Sequence, residues 1–213
     1  MAKCKNVDIK SAIKIVTQAA KEYEENLNDR HFMVVYQEEA ETKIVYFGFR
    51  DFNFLHLTGV NTTLKAKQFY KACLEHKLAG RDIIDLKKGK TQQKLAVIPY
   101  LSKILYNNCM IGYSIQNGIY LQADYFVGNT KAVLSVGFRF GENVDYPVTL
   151  YNGDVRKMIK PACKVLAIFT KRFDDKKYNQ CTYLSKGQQI GKLKLDDAAR
   201  NLLEEALVRD SVD

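Results

Sequence analysis

His31, His56 and His76 are the only histidines in the sequence, and histidine is the side chain whose ordinary ionisation lies nearest neutral pH. His56 stands between Leu55 and Leu57 in a run that ends Thr58-Gly59, directly before a segment whose spacing predicts a helix. The free N–H groups at a helix start attract anions, so an imidazole there could move a proton at a bound phosphate. The same alternation of apolar residue, histidine and apolar residue is also what a strand supplies, with the ring half-buried and satisfied. His31 opens an apolar strand run. His76 falls near a helix C-terminus, where a cation interacts favourably with the dipole. Both read as structural.

The chemistry within reach of these residue types is cleavage of RNA by its own 2′-hydroxyl. That reaction needs a base, an acid, and cations or hydroxyls around the phosphate. His56 supplies the acid or base; Lys171 and Lys186 would stabilise phosphate charge, with Arg172 beside them; Thr58, Thr182 and Ser185 would orient the phosphate. Tyr178 and Tyr183, among thirteen tyrosines and no tryptophan, could stack on bases, although core aromatics are commoner than stacking platforms. In the final strand, Thr182, Leu184 and Lys186 should share one sheet face, and Tyr183 and Ser185 the other. Lys186 next to Gly187 could equally be an exposed strand end that blunts an edge.

Several classes of chemistry lack their motifs. There is no phosphate-binding glycine loop, no nucleophile elbow, no HExxH and no kinase set. The acidic residues do not form the paired constellations that hold magnesium in two-metal nucleases. The five cysteines, Cys4, Cys73, Cys109, Cys163 and Cys181, form no CxxC pair and have no histidine at metal-ligand spacing, so reduced, mostly buried thiols are expected. No cofactor and no metal site are therefore expected, and a nuclease built from this inventory would be metal-independent.

A net charge of +9 and a pI near 9.2 bear on partners rather than on fold. Lysines gather at Lys87, Lys88 and Lys90, at Lys157, Lys160 and Lys164, and at Lys171, Arg172, Lys176 and Lys177. Counterion release would favour nucleic acid, an anionic membrane is the competing polyanion, and a solvated lysine-rich face needs no partner. No stretch approaches the ~18 consecutive apolar residues of a membrane helix, and MAKCKNVDIK lacks the apolar core of a signal peptide. A cytosolic protein without a membrane partner is expected. With no linker and no repeat, residues 1–213 read as one domain.

The elements that must position these residues are legible in outline. Ile9, Ala12, Ile13, Val16, Ala19, Ala20 and Tyr23 form a helical stripe over residues 8–25 behind an Asp8 cap. HFMVVY and KIVYFGF read as a paired ribbon. A helix follows over about residues 62–78, and another over 91–106, where Pro99 either kinks it or opens its second part. From Met110 to Ser185 short strands follow one another too closely for parallel crossovers, so they pair as antiparallel neighbours. Leu195, Ala199, Leu202, Leu203 and Ala206 mark a C-terminal helix behind Asp196. Helices first and a meander second give an α+β fold, opened by a helix and hairpin and closed by a C-terminal helix packed on the body.

The blocks NFLHLTGV, FYKACLEHKL, FVGNTKAVLSVGF and VLAIFTKRFDDKKYNQCTYLSKG together resemble the phage-associated nuclease-like domains of the barnase, EndoU, colicin and RelE superfamily, in their fourth phage group. The resemblance runs from roughly Ile13 to Lys194. It implies helices packed on an antiparallel sheet, and a metal-independent endoribonuclease activity in phages and mobile elements, acting in the bacterial host cytosol. Carried over by position, it falls on His56, Leu57, Thr58 and Gly59, on Asn129 in a Val-Gly-Asn turn as an RNA contact, and on Lys171, Thr182, Tyr183, Ser185 and Lys186. The first expectation is thus RNA cleavage to a 2′,3′-cyclic phosphate. The second is a non-catalytic module that binds RNA, a host protein or a cognate inhibitor protein and acts as an inhibitor or regulator.

Overall fold

The apolar stripe behind Asp8 folds as a helix because Ala12, Val16, Ala19, Ala20 and Tyr23 all reach one buried face. The Asp8 carboxylate accepts a hydrogen bond from the Ser11 amide at 2.7 Å and caps its first turn. The computed structural model describes residues 7–86, 89–115, 123–129 and 134–209. Cys4, Lys87 and Lys88, and part of the segments read as strands around residues 118–122 and 131–133, lie outside them.

In chain order the elements are α1 (Ile9–Asn26), β1 (Arg30–Glu38), β2 (Glu41–Phe49), α2 (Asp51–Thr58), β3 (Asn61–Thr62), α3 (Ala66–Leu74), β4 (Ile83–Asp85) and α4 (Lys90–Val97). They continue as β5 (Met110–Tyr113), β6 (Tyr125–Asn129), β7 (Leu134–Arg139), β8 (Tyr146–Asn152), β9 (Cys163–Arg172), β10 (Gln180–Leu184), α5 (Asp197–Asn201) and α6 (Glu205–Arg209). Strands β5 to β8 form the expected antiparallel meander. The sheet order is β2-β1-β9-β5-β6-β7-β8, so β9 returns to lie between the hairpin and the meander. β9 serves β5 with its first residues and β10 with its later ones, while β1 pairs along its other side.

The sheet curls until its ends meet. Phe47 of β2 bridges Asp145, and the Gly48 amide donates to the Asp145 carbonyl at 2.9 Å. One face carries the main core, where Phe32, Phe47, Phe49, Tyr125 and Phe138 pack with α1 to α4. The other face, Met33, Val35, Phe169 and Tyr178, is covered by Ala199 and Leu203 near the C-terminus. The fold is α+β, as the order of elements predicts.

Three local expectations change, and at Pro99 one of the two alternatives holds. The segment with His56 is itself a helix, α2, rather than the approach to one. The next helix is shorter than expected, at Ala66–Leu74. Pro99 opens a separate 3-10 helix over Ile98–Tyr106, following α4; proline suits that position because its missing N–H would have no partner there. The single C-terminal helix is two short ones. The Tyr178 amide donates to the Leu202 carbonyl at 2.7 Å and the Glu204 amide to the Tyr178 carbonyl at 2.9 Å, so main-chain groups a continuous helix would use are taken by another segment.

Asp196 nevertheless caps α5, accepting from the Ala199 amide at 2.7 Å. Asp196→Ala is expected to cost about 1 kcal/mol in a urea titration. Among the described residues no helix is long and apolar enough to cross a membrane.

Candidate functional site

Strand pairing, not sequence proximity, assembles the strongest cluster of chemistry-bearing side chains. His31 on β1 lies directly across from Lys171 on β9 and, on its other side, from Gly48 on β2. Equivalent register positions share a sheet face, and His31 and Lys171 lie on the face that carries Met33, Val35 and Phe169. The His31 ring is flanked by Tyr46, Phe173 and Tyr178, at centroid distances of 6.2, 5.5 and 5.7 Å. Its Nδ1 is 2.6 Å from the Tyr178 hydroxyl.

The surrounding cations are held in place. Lys171 Nζ donates to the carbonyls of Asp175 and Lys176, at 2.7 and 3.4 Å, and lies 5.5 Å from the centre of the Tyr178 ring. Arg50, the residue before α2, stacks its guanidinium 3.5 Å above the Phe173 ring and pairs with Asp29. Arg172 approaches the same carboxylate at 3.8 Å. Asp29 therefore sits between two arginines. It adopts a left-handed φ of 55° at the entry to β1, a conformation aspartate tolerates better than most residues.

Burial, followed by the charges of Lys171 and Arg50, pulls the His31 pKa from its ordinary value of 6.5 down to about 4. The half-buried ring is thus neutral at pH 7. Burial pushes the Tyr178 hydroxyl well above its ordinary range, so it stays a neutral phenol. The arrangement can take up a proton beside fixed positive charge, which is what a transferring phosphodiester requires of its surroundings.

Of the residues singled out in the sequence, Lys171, Arg172 and Tyr178 meet here. Tyr178 is 1% exposed, so it positions the imidazole rather than offering a ring face to a base. His31 had the wrong sequence signal. An apolar strand run is equally the signature of a structural histidine, and only the β1–β9 register puts it against Lys171.

His56 occupies a different environment. It is exposed in the last turn of α2, the carbonyl end of the helix dipole, which disfavours anions. Its own carbonyl accepts from Lys94 Nζ at 2.9 Å, and its pKa is lowered by burial and by Lys94. Thr58 is fully buried; its hydroxyl donates to the Leu55 carbonyl at 2.7 Å and accepts from the Val60 amide at 3.1 Å.

Thr182 Oγ1 donates to the Leu105 carbonyl at 2.6 Å, tying β10 to the 3-10 helix. Tyr183 donates to Asn108 Oδ1 at 3.2 Å. Ser185 is buried and its amide donates to the Leu166 carbonyl at 2.8 Å. Lys186 is exposed in the turn beyond β10. The expected alternation of faces is interrupted by a register shift at Thr182: Cys181 and Tyr183, two residues apart, pack against different cores. Asn129 is the last residue of β6, paired with Leu134, and not a turn residue.

Cys73, Cys109, Cys163 and Cys181 are free thiols. Among the described residues no three His, Cys, Asp or Glu side chains gather at metal-binding spacing.

Helices on a curled antiparallel sheet, with an imidazole beside Lys171 and Arg50 at one end of the central strands, define the class as an α+β domain with a histidine-bearing sheet face. Residues 15–187 match the model of the phage-Barnase-EndoU-ColicinE5/D-RelE like nuclease4 family, and the chain belongs to that family of phage-associated nuclease-like domains. No curated protein and no solved structure matches it.

Proposed function

We propose that this nuclease-like domain cleaves RNA by transesterification, with His31 as the proton-transferring group. The observation that carries the reading is a neutral imidazole paired in register with Lys171 and hydrogen-bonded to a buried tyrosine. With its proton on Nδ1, donated to the Tyr178 oxygen, His31 presents a basic Nε2. That nitrogen takes the proton of a ribose 2′-hydroxyl as the 2′ oxygen attacks phosphorus. The P–O5′ bond breaks, the departing 5′ oxygen leaves as an alcohol with a proton from water, and the imidazolium returns its proton to solvent. The products are a 2′,3′-cyclic phosphate and a 5′-hydroxyl.

Lys171, Arg50 and Arg172 offset the charge that builds on the phosphate. Lys171 and Arg50, which together with burial lower the His31 pKa in the free protein, are neutralised by a bound phosphodiester, so the base strengthens when substrate arrives. The test is incubation of the purified chain with bacterial RNA in EDTA, followed by gel and end-group analysis. Cyclic-phosphate ends support the reading. Intact RNA bound in a salt-dependent way would replace it with a non-catalytic RNA-binding module.

Gly48 offers an indirect lever on the same site. A Cβ there would lie 2.3 Å from Phe173 Cζ. Gly48→Ala should therefore push the ring aside and remove the platform beneath Arg50. Cleavage should fall on the order of 10²-fold, the scale of a 1 Å misplacement, with a melting temperature close to that of the parent because Phe173 is in a half-exposed loop.

A further inference from the structure

Tyr178, which holds the His31 ring, is bridged in parallel to Leu203 in the break between α5 and α6. Beside that bridge opens a cavity of about 260 Å³ whose polar lining is Lys177, Arg200, Asn201, Glu205 and Arg209; Leu203 and Val208 complete it. We propose that this cavity holds a second phosphate of the RNA strand whose scissile phosphate lies at His31. The inference rests on the RNA reading of the His31 cluster and extends it to a site that uses none of the same side chains.

Charge selects an anion here. Three cations line the cavity against one carboxylate, and that carboxylate is taken, since Glu205 accepts from Arg209 at 2.7 Å. Lys177 and Arg200 remain. Lys177 has no ion-pair partner among the described residues. Arg200 donates to the carbonyls of Gly191 and Leu193, at 3.4 and 2.9 Å. Those are neutral groups, so they fix the guanidinium without cancelling its charge. A guanidinium carries more N–H donors than these two bonds use, in a planar fork that matches phosphate oxygens, and an ammonium adds a point charge. Asn201 contributes an amide donor to the same opening. None of the neighbouring acids Asp196, Asp197 and Glu204 lines the cavity.

The two walls are tied to the His31 cluster. Lys171, across from His31, donates to the carbonyls of Asp175 and Lys176, directly before Lys177. On the other wall the Tyr178 amide and carbonyl bond to Leu202 and Glu204. Lys177 and Arg200 are thereby held at a fixed offset from His31. That suits a single strand, which carries a charge at every nucleotide and presents the next phosphates to whatever surface adjoins the first. Of the basic run Lys171, Arg172, Lys176 and Lys177, only Lys177 lines the cavity.

The experiment is fluorescence anisotropy of the full chain with a labelled octanucleotide of 2′-O-methyl RNA, which lacks the attacking hydroxyl and stays intact, over a series of salt concentrations. Lys177→Ala should weaken binding about fivefold at low salt and reduce the slope of log K against log salt by about 0.7, the share of one single-strand phosphate. Lys176→Ala removes the same charge from an exposed neighbour outside the cavity and should change both by less than half as much. Lys177 is half-exposed, and an unchanged melting temperature will show that its variant folds. Equal effects of the two substitutions would overturn the proposal, because diffuse charge would then account for the affinity; so would failure of the parent chain to bind the oligonucleotide. A parallel assay with cleavable RNA separates this site from the catalytic reading. Lys177-dependent binding without cleavage would support the phosphate site and remove His31 as a catalyst, whereas cleavage with binding unchanged in Lys177→Ala would overturn the phosphate site alone.

Discussion

His31→Gln is expected to lower RNA cleavage by about 10²- to 10⁴-fold, the range general acid–base catalysis contributes, while His56→Ala retains near-parental activity. Glutamine keeps a polar group for the Tyr178 hydroxyl, so loss of activity in that variant reports chemistry rather than packing. Lys171→Ala should also reduce cleavage, with its larger effect on kcat if the ammonium acts on charge that develops in the transition state.

The pH dependence gives an independent reading. In kcat/KM the acidic limb should fall near pH 4, where the free protein's His31 titrates, rather than near 6.5. In kcat it should move upward, because the substrate phosphate offsets Lys171 and Arg50. Stability follows the same group. Folding lowers the proton affinity of His31, so between about 4 and 6.5 the unfolded chain binds more protons than the folded one. That contribution is complete above the unfolded value and is lost as pH falls towards 4, and His31→Gln should flatten this part of a melting-temperature profile. Full activity in His31→Gln together with a dead His56→Ala would return the site to α2.

The largest expected loss of stability lies where the curled sheet closes. Phe138 is fully buried on β7. Its ring is 4.2 Å from that of Phe47 on β2, 5.3 Å from that of Tyr125 and 5.9 Å from that of Phe49, centroid to centroid. Removing it opens a cavity between β7 and β2, which are far apart in the sheet order and meet only where the sheet closes, so no single neighbouring strand can fill it. Phe138→Ala should cost about 3–5 kcal/mol by urea unfolding, with an unchanged slope. A cost below about 1 kcal/mol would mean that the two ends of the sheet do not depend on each other. Since Phe49 leads directly into Arg50, a loosened closure should also reduce cleavage below the unfolding transition.

What the sequence determined by itself was the local order. Periodicity places α1, its Asp8 cap and the β1–β2 ribbon, because an amphipathic helix and a half-buried strand each write their own spacing into the chain. Close spacing of the later segments requires antiparallel pairing, and the block pattern carries the family. The basic character of the Lys171–Lys177 segment is equally plain from composition.

Tertiary structure decided everything that depends on which strands meet. Nothing in HFMVVY or in KVLAIFTKRF states that β9 leaves the meander to pair with β1, yet that register alone sets His31 opposite Lys171. Nothing in DFNFLHLTGV distinguishes a short helix from a strand that leads into one, since its apolar residues fit either period, and only the folded chain puts His56 at a helix's carbonyl end instead of its amide end. The break between α5 and α6 and the register shift at Thr182 have the same origin. Each depends on hydrogen bonds to segments distant in sequence, and side-chain patterning records burial along one element, not the partner that buries it.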